Sequence, residues 1–421
     1  MKLGIIGLGY VGLPLGTLLA KNFQVIAFDV DKSKVESIKK GFIPINEPGL
    51  PEELRNSLES GKLIVTNDKE LLKSTTVKIV TVGTPFNSDT GYIDYSQLES
   101  SLDVIIPNLT EGDVIILKST VPPGTTMGLV KMKLESSGYS VPDMIGLVFS
   151  PERMIEGQAM KDFTSLPKII GASDDRSKDI AVEILSKLGG KIITVSDPIT
   201  AEMAKMVDNY ARFVFLGLTN ELALVCEKVG VDVLELIRVV KDDYIRNAGI
   251  LIPGPGVGGS CLNKDPFILQ GMLKDRGMNL EMLQSAHEVN SFIPIHVAQL
   301  VSTYVEKGKV SILGVAFKGD TDDIRFTPTF EIRNELVRKG FEVRLTDPFV
   351  RSKDIDTDLY VSSKNSNVIL ILTDHTEYKN IDLMKLKALM NEDATIIDTR
   401  GLVNRKDANE CGFKYHGLGR L

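Results

Sequence analysis

Cysteine is scarce and scattered: Cys226, Cys261 and Cys411 are the whole complement. An odd number with no C-x-x-C pair argues against a disulfide framework or a thiolate zinc site and fits a reduced, cytoplasmic setting. The four histidines, His287, His296, His375 and His416, show no metal-ligand spacing. No metal is expected, and all four read as structural or surface residues. Positive charge is in deficit, with 49 Lys and Arg against 56 Asp and Glu and a net charge of -7. That balance argues against a nucleic-acid partner. No apolar run reaches the ~20 residues a membrane-spanning helix needs, so no membrane partner is expected. Met1-Lys2 leads straight into an apolar strand rather than a signal peptide. What is present is ordinary for a soluble protein, 43% hydrophobic and 25% charged residues in a chain of 421. That is enough for two or three domains with substantial cores.

Lys2 to Ile6 reads as a short strand, followed at once by Gly7-Leu8-Gly9-Tyr10-Val11-Gly12 and a helix from Leu13. A G-x-G-x-x-G between strand and helix is a dinucleotide fingerprint in the context that gives it meaning. Gly7 allows the tight turn, Gly9 admits a pyrophosphate, and Gly12 lets helix and strand pack closely. A second strand, Gln24 to Phe28, ends on Asp29, whose carboxylate suits the adenosine ribose hydroxyls and favours NAD over NADP. Further strands are expected at Val77 to Val82, Val114 to Leu117 and Ile145 to Phe149, alternating with helical segments. That rhythm predicts a parallel doubly wound sheet binding ligands at its strand ends. The loops there carry Thr84 and Pro85, then Ser119, Thr120 and Thr125, then Glu152 and Arg153. Thr125 reads as part of a proline-stiffened turn; the others suit the nicotinamide ribose and the reacting end of a substrate.

Pro198 to Lys228 predicts a long buried helix on which Lys205 and Asn209, four apart, share a face. Two further helices are expected at Met278 to Glu288 and Ile293 to Tyr304. From about residue 305 the strand and helix rhythm returns, with strands at Val310 to Ala316, Glu342 to Leu345, Val368 to Leu372 and Thr395 to Ile397. The glycine fingerprint is missing there. Lys318, Arg325 and Arg400 fall at strand ends instead, where cations suit a phosphate-bearing ligand. The expected architecture is α/β: two Rossmann-like doubly wound parallel-sheet domains, 1–196 and 305–421, joined by a helical middle domain, 197–304. The middle domain contains the long central helix and is placed to dimerise.

One stretch between the outer domains concentrates the chemistry. Gly254 to Asp265 reads G-P-G-V-G-G-S-C-L-N-K-D. Its glycines would let backbone approach a ligand, and Cys261, Lys264 and Asp265 supply a nucleophile, a cation and a carboxylate.

These motifs together resemble the UDP-glucose/GDP-mannose dehydrogenases, NAD-dependent four-electron nucleotide-sugar 6-dehydrogenases. The match covers G-L-G-Y-V-G at 7–12, E-P-G-L at 47–50, S-T-V-P-P-G-T-T at 119–126 and S-P-E at 150–152. It continues through Lys205-x-x-x-Asn209, G-G-S-C-L-N-K-D at 258–265 and G-V-A-F-K-G-D-T-D-D-I-R at 314–325. The resemblance implies Cys261 as nucleophile, with Lys205, Asn209 and Asp265 around it. It implies Thr120, Glu152 and Glu156 in water ordering or thioester hydrolysis. NAD would be held by Gly7, Gly9, Tyr10, Val11, Gly12, Asp29, Lys34, Thr84, Pro85, Ser119, Thr120 and Lys264. The UDP-sugar would meet Glu152, Arg153, Lys205, Asn209, Gly258, Lys318, Arg325 and Arg400. Arg246 matches an arginine that in the family reaches the partner subunit's sugar site, and a homodimer or higher homo-oligomer is implied.

Substrate signals are mixed. Pro151-Glu152-Arg153, Glu156-Gly157, Leu166 to Gly171 and G-P-G-V-G-G look like the branch acting on UDP-N-acetylhexosamines, above all UDP-N-acetylmannosamine. Ser260 to Asp265 looks closer to the UDP-glucose enzymes, and Glu156 stands where many of the first branch carry proline. UDP-N-acetylglucosamine and UDP-glucose are therefore kept as alternatives. A two-electron hydroxyacid-type dehydrogenase would need neither Cys261 nor the third domain. A non-catalytic nucleotide-sugar-binding protein would not need this full set of polar residues.

Overall fold

A computed structural model describes residues 1–420 except 44, 46, 88–90, 156, 243–248 and 275. The chain forms two compact units. One comprises Met1–Asp208 with Phe267–Met278, the other Asn209–Pro266 with Asn279–Leu421.

The first unit is built on ten short strands: β1 (Lys2–Ile6), β2 (Gln24–Phe28), β3 (Leu63–Thr66), β4 (Val77–Val80), β5 (Phe86–Asn87), β6 (Tyr92–Ile93), β7 (Val114–Leu117), β8 (Gly146–Phe149), β9 (Lys168–Ala172) and β10 (Ile192–Val195). Eight of them form one sheet in the order β10-β9-β8-β7-β4-β1-β2-β3, while β5 and β6 make a separate hairpin. Every pair in the large sheet is parallel except β8 with β9, which is antiparallel. Strands such as Val114–Leu117 are apolar throughout because both faces of the sheet are covered. Leu3 and Ile5 of β1 enter one core cluster and Ile6 the cluster on the opposite face, as the two-residue period of a strand requires.

One polar pair sits inside this unit. Lys78 of β4 is fully buried, and its Nζ donates to the Asp113 carboxylate and to the Thr75 carbonyl at 2.6 Å. Burial lowers the Lys78 pKa from its ordinary value, although Asp113 opposes that shift. Lys78→Met would leave Asp113 buried and charged. The expected loss is about 3–5 kcal/mol, read by calorimetry as a fall of about 10 °C in this unit's melting transition. A shift below about 2 °C would mean that the pair adds nothing.

The second unit repeats the plan with β11 (Lys309–Leu313), β12 (Glu342–Thr346), β13 (Ile355–Asp356), β14 (Val368–Ile371), β15 (Thr395–Asp398) and β16 (Lys414–Gly417). Their order, β13-β12-β11-β14-β15-β16, is the third-second-first-fourth-fifth-sixth order of a Rossmann sheet, and all pairs are parallel. Strand order reverses beside β1 and β4 in the first unit and beside β11 and β14 in the second. Open α/β sheets bind ligands at such points.

Two long helices complete the frame. The first spans Pro198–Val229, the extent its pattern predicts, but it is not buried all round: Ile199, Met203, Val207, Phe215, Leu218, Val225 and Val229 are exposed. The second runs unbroken over Glu281–Tyr304, where two helices are expected from sequence. Pro294 lies inside it, buried, with its ring close to Gly256: a Cβ built on that glycine would fall 3.1 Å from the ring. The helix forms despite a local cost of about 3 kcal/mol for the lost backbone bond and ring clash.

Candidate active site

The turn after β1 is dictated by its glycines. Gly7 has φ +95°, a left-handed value costly for any residue with a Cβ. A Cβ on Gly12 would lie 1.9 Å from the Gly7 carbonyl oxygen, so helix and turn can pack only without one. A Cβ on Gly9 would meet no atom of the chain within 4 Å. The fold therefore demands Gly7 and Gly12, while the space beside Gly9 is open for a pyrophosphate to approach the backbone. Tyr10 and Val11 complete the turn, and the following helix spans Gly12–Leu19, with its N-terminus toward that space.

Asp29 stands at the end of β2, buried. Its Oδ2 accepts the Leu8 N–H at 2.8 Å and the Lys34 ammonium at 2.8 Å, and its Oδ1 accepts the Asp31 N–H at 3.0 Å. Asp29 thus fixes the fingerprint turn as well as offering a carboxylate rim. Lys34, from the helix Lys32–Lys39, places a cation on that rim.

Past β4 and β7 the loops lock together. Thr84 Oγ1 donates to the Thr120 carbonyl at 2.6 Å and Ser119 Oγ to the Val82 carbonyl at 2.7 Å; Pro85 is exposed. Thr125 Oγ1 donates to the Pro122 carbonyl at 2.7 Å, the turn role expected of it. Glu202, fully buried on the long helix, accepts from the Gly124 and Thr126 backbone N–H groups and from Thr126 Oγ1. Burial pushes its carboxyl above the ordinary range. This anchor is hidden in the sequence because its partners lie more than 70 residues away.

After β8, Glu152 turns back on its own loop. Its Oε1 accepts the Arg153 and Met154 N–H groups, each at 2.9 Å, and Lys118 Nζ lies 3.2 Å from Oε2. Lys118 is buried at the end of β7. The Arg153 guanidinium donates to the Pro167 carbonyl at 2.8 Å. The loop is pinned further by Asp162, which accepts the Ile155 N–H, and by buried Glu47, which accepts the Gly157 N–H, both at 2.9 Å. Lys205 lies buried on the long helix one turn before Asn209. Glu156 and Arg246 fall outside the described residues.

In the second unit the stretch from Gly254 forms a tied loop. Gly254 donates its N–H to Asn220 Oδ1 at 3.1 Å, and Asn220 is held in turn by Asn290 at 2.9 Å. Asn263 Nδ2 reaches the carbonyls of Val257 and Gly259, at 3.0 and 2.9 Å. Cys261 is exposed on this loop, and its carbonyl accepts the Asp265 N–H at 2.9 Å. Asp265 opens the helix Asp265–Lys274 and is buried; its Oδ2 accepts Asn209 Nδ2 at 2.6 Å, and Lys264 Nζ lies 3.5 Å from Oδ1. A carboxylate at that helix terminus is favoured by the helix dipole. Close approach to a ligand is the role the sequence offers for the loop glycines. Here Gly258 and Gly259 meet the side chain of Phe317 instead.

The cations of this unit lie as the sequence places them, beyond β11 and β15. Arg325 clamps both oxygens of Asp323, at 2.9 and 2.6 Å. Arg400 pairs with Asp374 at 3.0 Å. Burial opposes ionisation of Asp374, but Arg400 and the Gly319 N–H outweigh it and hold the carboxyl below its ordinary value. Lys318 precedes Gly319 on the same turn. Asp347, at the end of β12, takes the place Asp29 holds in the first unit and accepts the Val315 and Ala316 N–H groups, at 2.8 and 2.9 Å. His375 closes over it, with Nε2 3.0 Å from Asp347 and Nδ1 accepting the Asp320 N–H at 2.9 Å. That is a structural histidine. Among the described residues no group of three His, Cys, Asp or Glu side chains is placed to hold a metal ion.

A fingerprint turn with its acidic rim, at the switch point of a doubly wound sheet, defines a dinucleotide-binding protein. Comparison with known proteins makes the class specific. Residues 1–189 match the NAD binding domain of the UDP-glucose/GDP-mannose dehydrogenase family, 199–292 its central domain and 311–405 its UDP binding domain. The chain belongs to that family, and its cofactor is NAD. A curated relative, the UDP-N-acetyl-D-mannosamine dehydrogenase of Methanocaldococcus jannaschii, is 33% identical over 99% of this chain and 96% of its own. The UDP-glucose 6-dehydrogenase TuaD of Bacillus subtilis is 31% identical over 100% of this chain and 93% of its own. The solved structure of the UDP-D-ManNAc dehydrogenase from Pyrococcus horikoshii superposes with a TM-score of 0.90 at 30% identity, covering 100% of this chain and 99% of that one.

Proposed function

We propose that the protein oxidises the C6 alcohol of a UDP-N-acetylhexosamine, UDP-N-acetylmannosamine in the first place, to the uronate in two successive steps. The observation that carries this reading is Cys261. It is exposed on a loop anchored through the buried Asn209–Asp265 pair, in the same unit as Lys318, Arg325 and Arg400. The acetylhexosamine preference is supported by similarity over nearly the full length to the mannosamine enzymes.

Gly7, Gly9, Tyr10, Val11, Gly12, Asp29, Lys34, Thr84, Pro85, Ser119, Thr120 and Lys264 would hold NAD, which would accept the hydride of each oxidation. In the first, Asp265 or a water it holds takes the hydroxyl proton as C6 becomes an aldehyde. The Cys261 sulfur then adds to that carbon, with Lys205 and Asn209 stabilising the oxygen that gains charge. The resulting thiohemiacetal can lose a second hydride to give a thioester. Water adds to the thioester carbonyl, the C–S bond breaks, and the carboxylate leaves with the thiol restored. Thr120, Glu152 and Glu156 would order that water. Lys318, Arg325 and Arg400 would hold the diphosphate, with Glu152, Arg153 and Gly258 nearer the sugar and Arg246 reaching a partner subunit.

A homodimer, working in the cytoplasm, fits this reading. Phe215, Leu218, Val225 and Val229 lie exposed on one face of the long helix, an apolar stripe of the kind that marks a protein interface. Sedimentation velocity giving only a 46.2 kDa species would reject the dimer. No helix among the described residues is long and apolar enough to cross a membrane.

NADH produced per molecule of sugar, measured separately with UDP-N-acetylmannosamine, UDP-N-acetylglucosamine and UDP-glucose, tests the function. Two NADH from the first supports the full reading. Two from UDP-glucose alone would move the substrate to that of the second relative, and one from any sugar would overturn the thioester route.

A further inference from the structure

Phe317 lies between the two parts of the second unit that carry its chemistry. A Cβ on Gly258 would fall 2.3 Å from Phe317 Cβ, and one on Gly259 would fall 2.8 Å from the ring atoms Cε2 and Cζ. The ring therefore rests on the bare backbone of the loop that bears Cys261 two residues later. Gly259, at φ +84°, donates its N–H to the Arg325 carbonyl at 3.0 Å. Asn263 bonds the Val257 and Gly259 carbonyls from within, so this loop is braced internally.

On its other side Phe317 is continuous with the cation turn. It precedes Lys318, and its N–H donates to the Asp323 carbonyl at 3.0 Å, while the Asp323 side chain clamps the Arg325 guanidinium. Asp320 and Phe326 have φ of 58° and 52°. A bulky residue in the left-handed region is strained, and such strain concentrates at ligand clamps and switches. Asp323 thus braces the turn twice, through its carbonyl to the Phe317 N–H and through its carboxylate to Arg325.

We propose that Phe317 is a positioning residue that couples seating of a nucleotide diphosphate at Lys318 and Arg325 to the placement of the Cys261 loop. The inference rests on the reading above, in which Cys261 is the nucleophile and these cations hold the diphosphate. A diphosphate that competes with Asp323 for Arg325 moves the residue whose carbonyl holds Gly259, and the Phe317 ring carries that movement into Gly258 and Gly259. Nucleotide binding then sets the sulfur for attack, and removing the ring leaves only the weaker link through the Arg325–Gly259 hydrogen bond.

The experiment measures the rate at which iodoacetamide labels Cys261, resolved from Cys226 and Cys411 by peptide mass, with and without UDP. In the wild-type protein UDP should change that rate by about fivefold or more. In Phe317→Ala, UDP should still bind with a Kd within about threefold of wild type, but its effect on labelling should shrink to within about twofold. Phe317→Leu should restore part of the effect. In turnover, Phe317→Ala should lower kcat by about tenfold with little change in KM, as expected when ground-state binding is spared. If Phe317→Ala does not fold, Gly258→Ala, which drives the loop off an intact ring, should uncouple labelling in the same way. A full UDP effect retained in either variant would mean direct shielding of the sulfur and would overturn the coupling, as would the lack of any UDP effect in wild type. Labelling needs no turnover, so one NADH per sugar from the wild-type enzyme would sink the thioester reading separately.

Discussion

Cys261→Ala is expected to abolish uronate formation, lowering the rate of the second oxidation by about four orders of magnitude. The argument starts from what an aldehyde lacks. Its carbonyl carbon must gain a nucleophile before it can lose hydride, and in the proposed reaction the thiol of Cys261 would supply one in the form of a covalent adduct. Cys261 is exposed, so its replacement leaves no cavity, and the stability should change by less than about 0.5 kcal/mol. Lost activity at unchanged melting temperature is therefore a chemical effect. Cys261→Ser keeps a hydroxyl in place of the thiol, a far weaker nucleophile at neutral pH, and should be nearly as inactive. The measurement is product mass and NADH yield under single turnover. Uronate formed by Cys261→Ala within tenfold of the wild-type rate would rule out the covalent route and favour attack by water on the aldehyde.

Asp265→Asn should reduce kcat by about 10²–10⁴-fold, the range for removing a positioned acid–base group. Asp265 is buried, opens a helix and accepts a 2.6 Å hydrogen bond from Asn209. Those facts also suit a purely structural carboxylate, so the prediction needs a second variant. Asparagine nearly matches aspartate in shape and keeps one oxygen to accept from Asn209. Asp265→Ala instead leaves the Asn209 amide buried without this partner, at a cost of about 1–3 kcal/mol in stability. If Asp265 takes the proton, both variants should lose activity alike while only the alanine loses marked stability. Activity in Asp265→Asn that stays near wild type would reduce the residue to an anchor for Asn209.

The mechanism asks for little that is unusual and much that is well placed. The loops of the first unit are tied at their ends by charged side chains from distant segments: Glu202 on the turn before Thr126, Lys118 on Glu152, Glu47 on Gly157. Such anchors hold reacting groups to the tolerance that proximity effects require.

Much of this was legible in the sequence because it is written in short windows. The turn at Gly7–Gly12 needs φ and packing that only glycine supplies, the apolar runs at Lys2–Ile6 and Val114–Leu117 announce strands, and Asp29 follows its strand at the expected distance. Alternation of strand and helix was enough for two doubly wound units. The short strand Leu63–Thr66 and the outer pair Lys168–Ala172 and Ile192–Val195 did not stand out, since four or five residues carry little periodic signal. Nor did the antiparallel joining of β8 and β9, which no local pattern records. The unbroken helix through Pro294 went against its local signal, a proline inside the run.

By itself the sequence determined most of the elements, the cofactor turn and the residue types at the strand ends, because backbone sterics and side-chain period act over a few residues. Only the tertiary structure decided what those residues touch. It turned Glu152 back onto Lys118, set His375 over Asp347, and gave Gly258 and Gly259 the side chain of Phe317 as their neighbour. Each of these contacts joins residues at least 28 positions apart, and its energy depends on burial and distance, which exist only once the chain has folded.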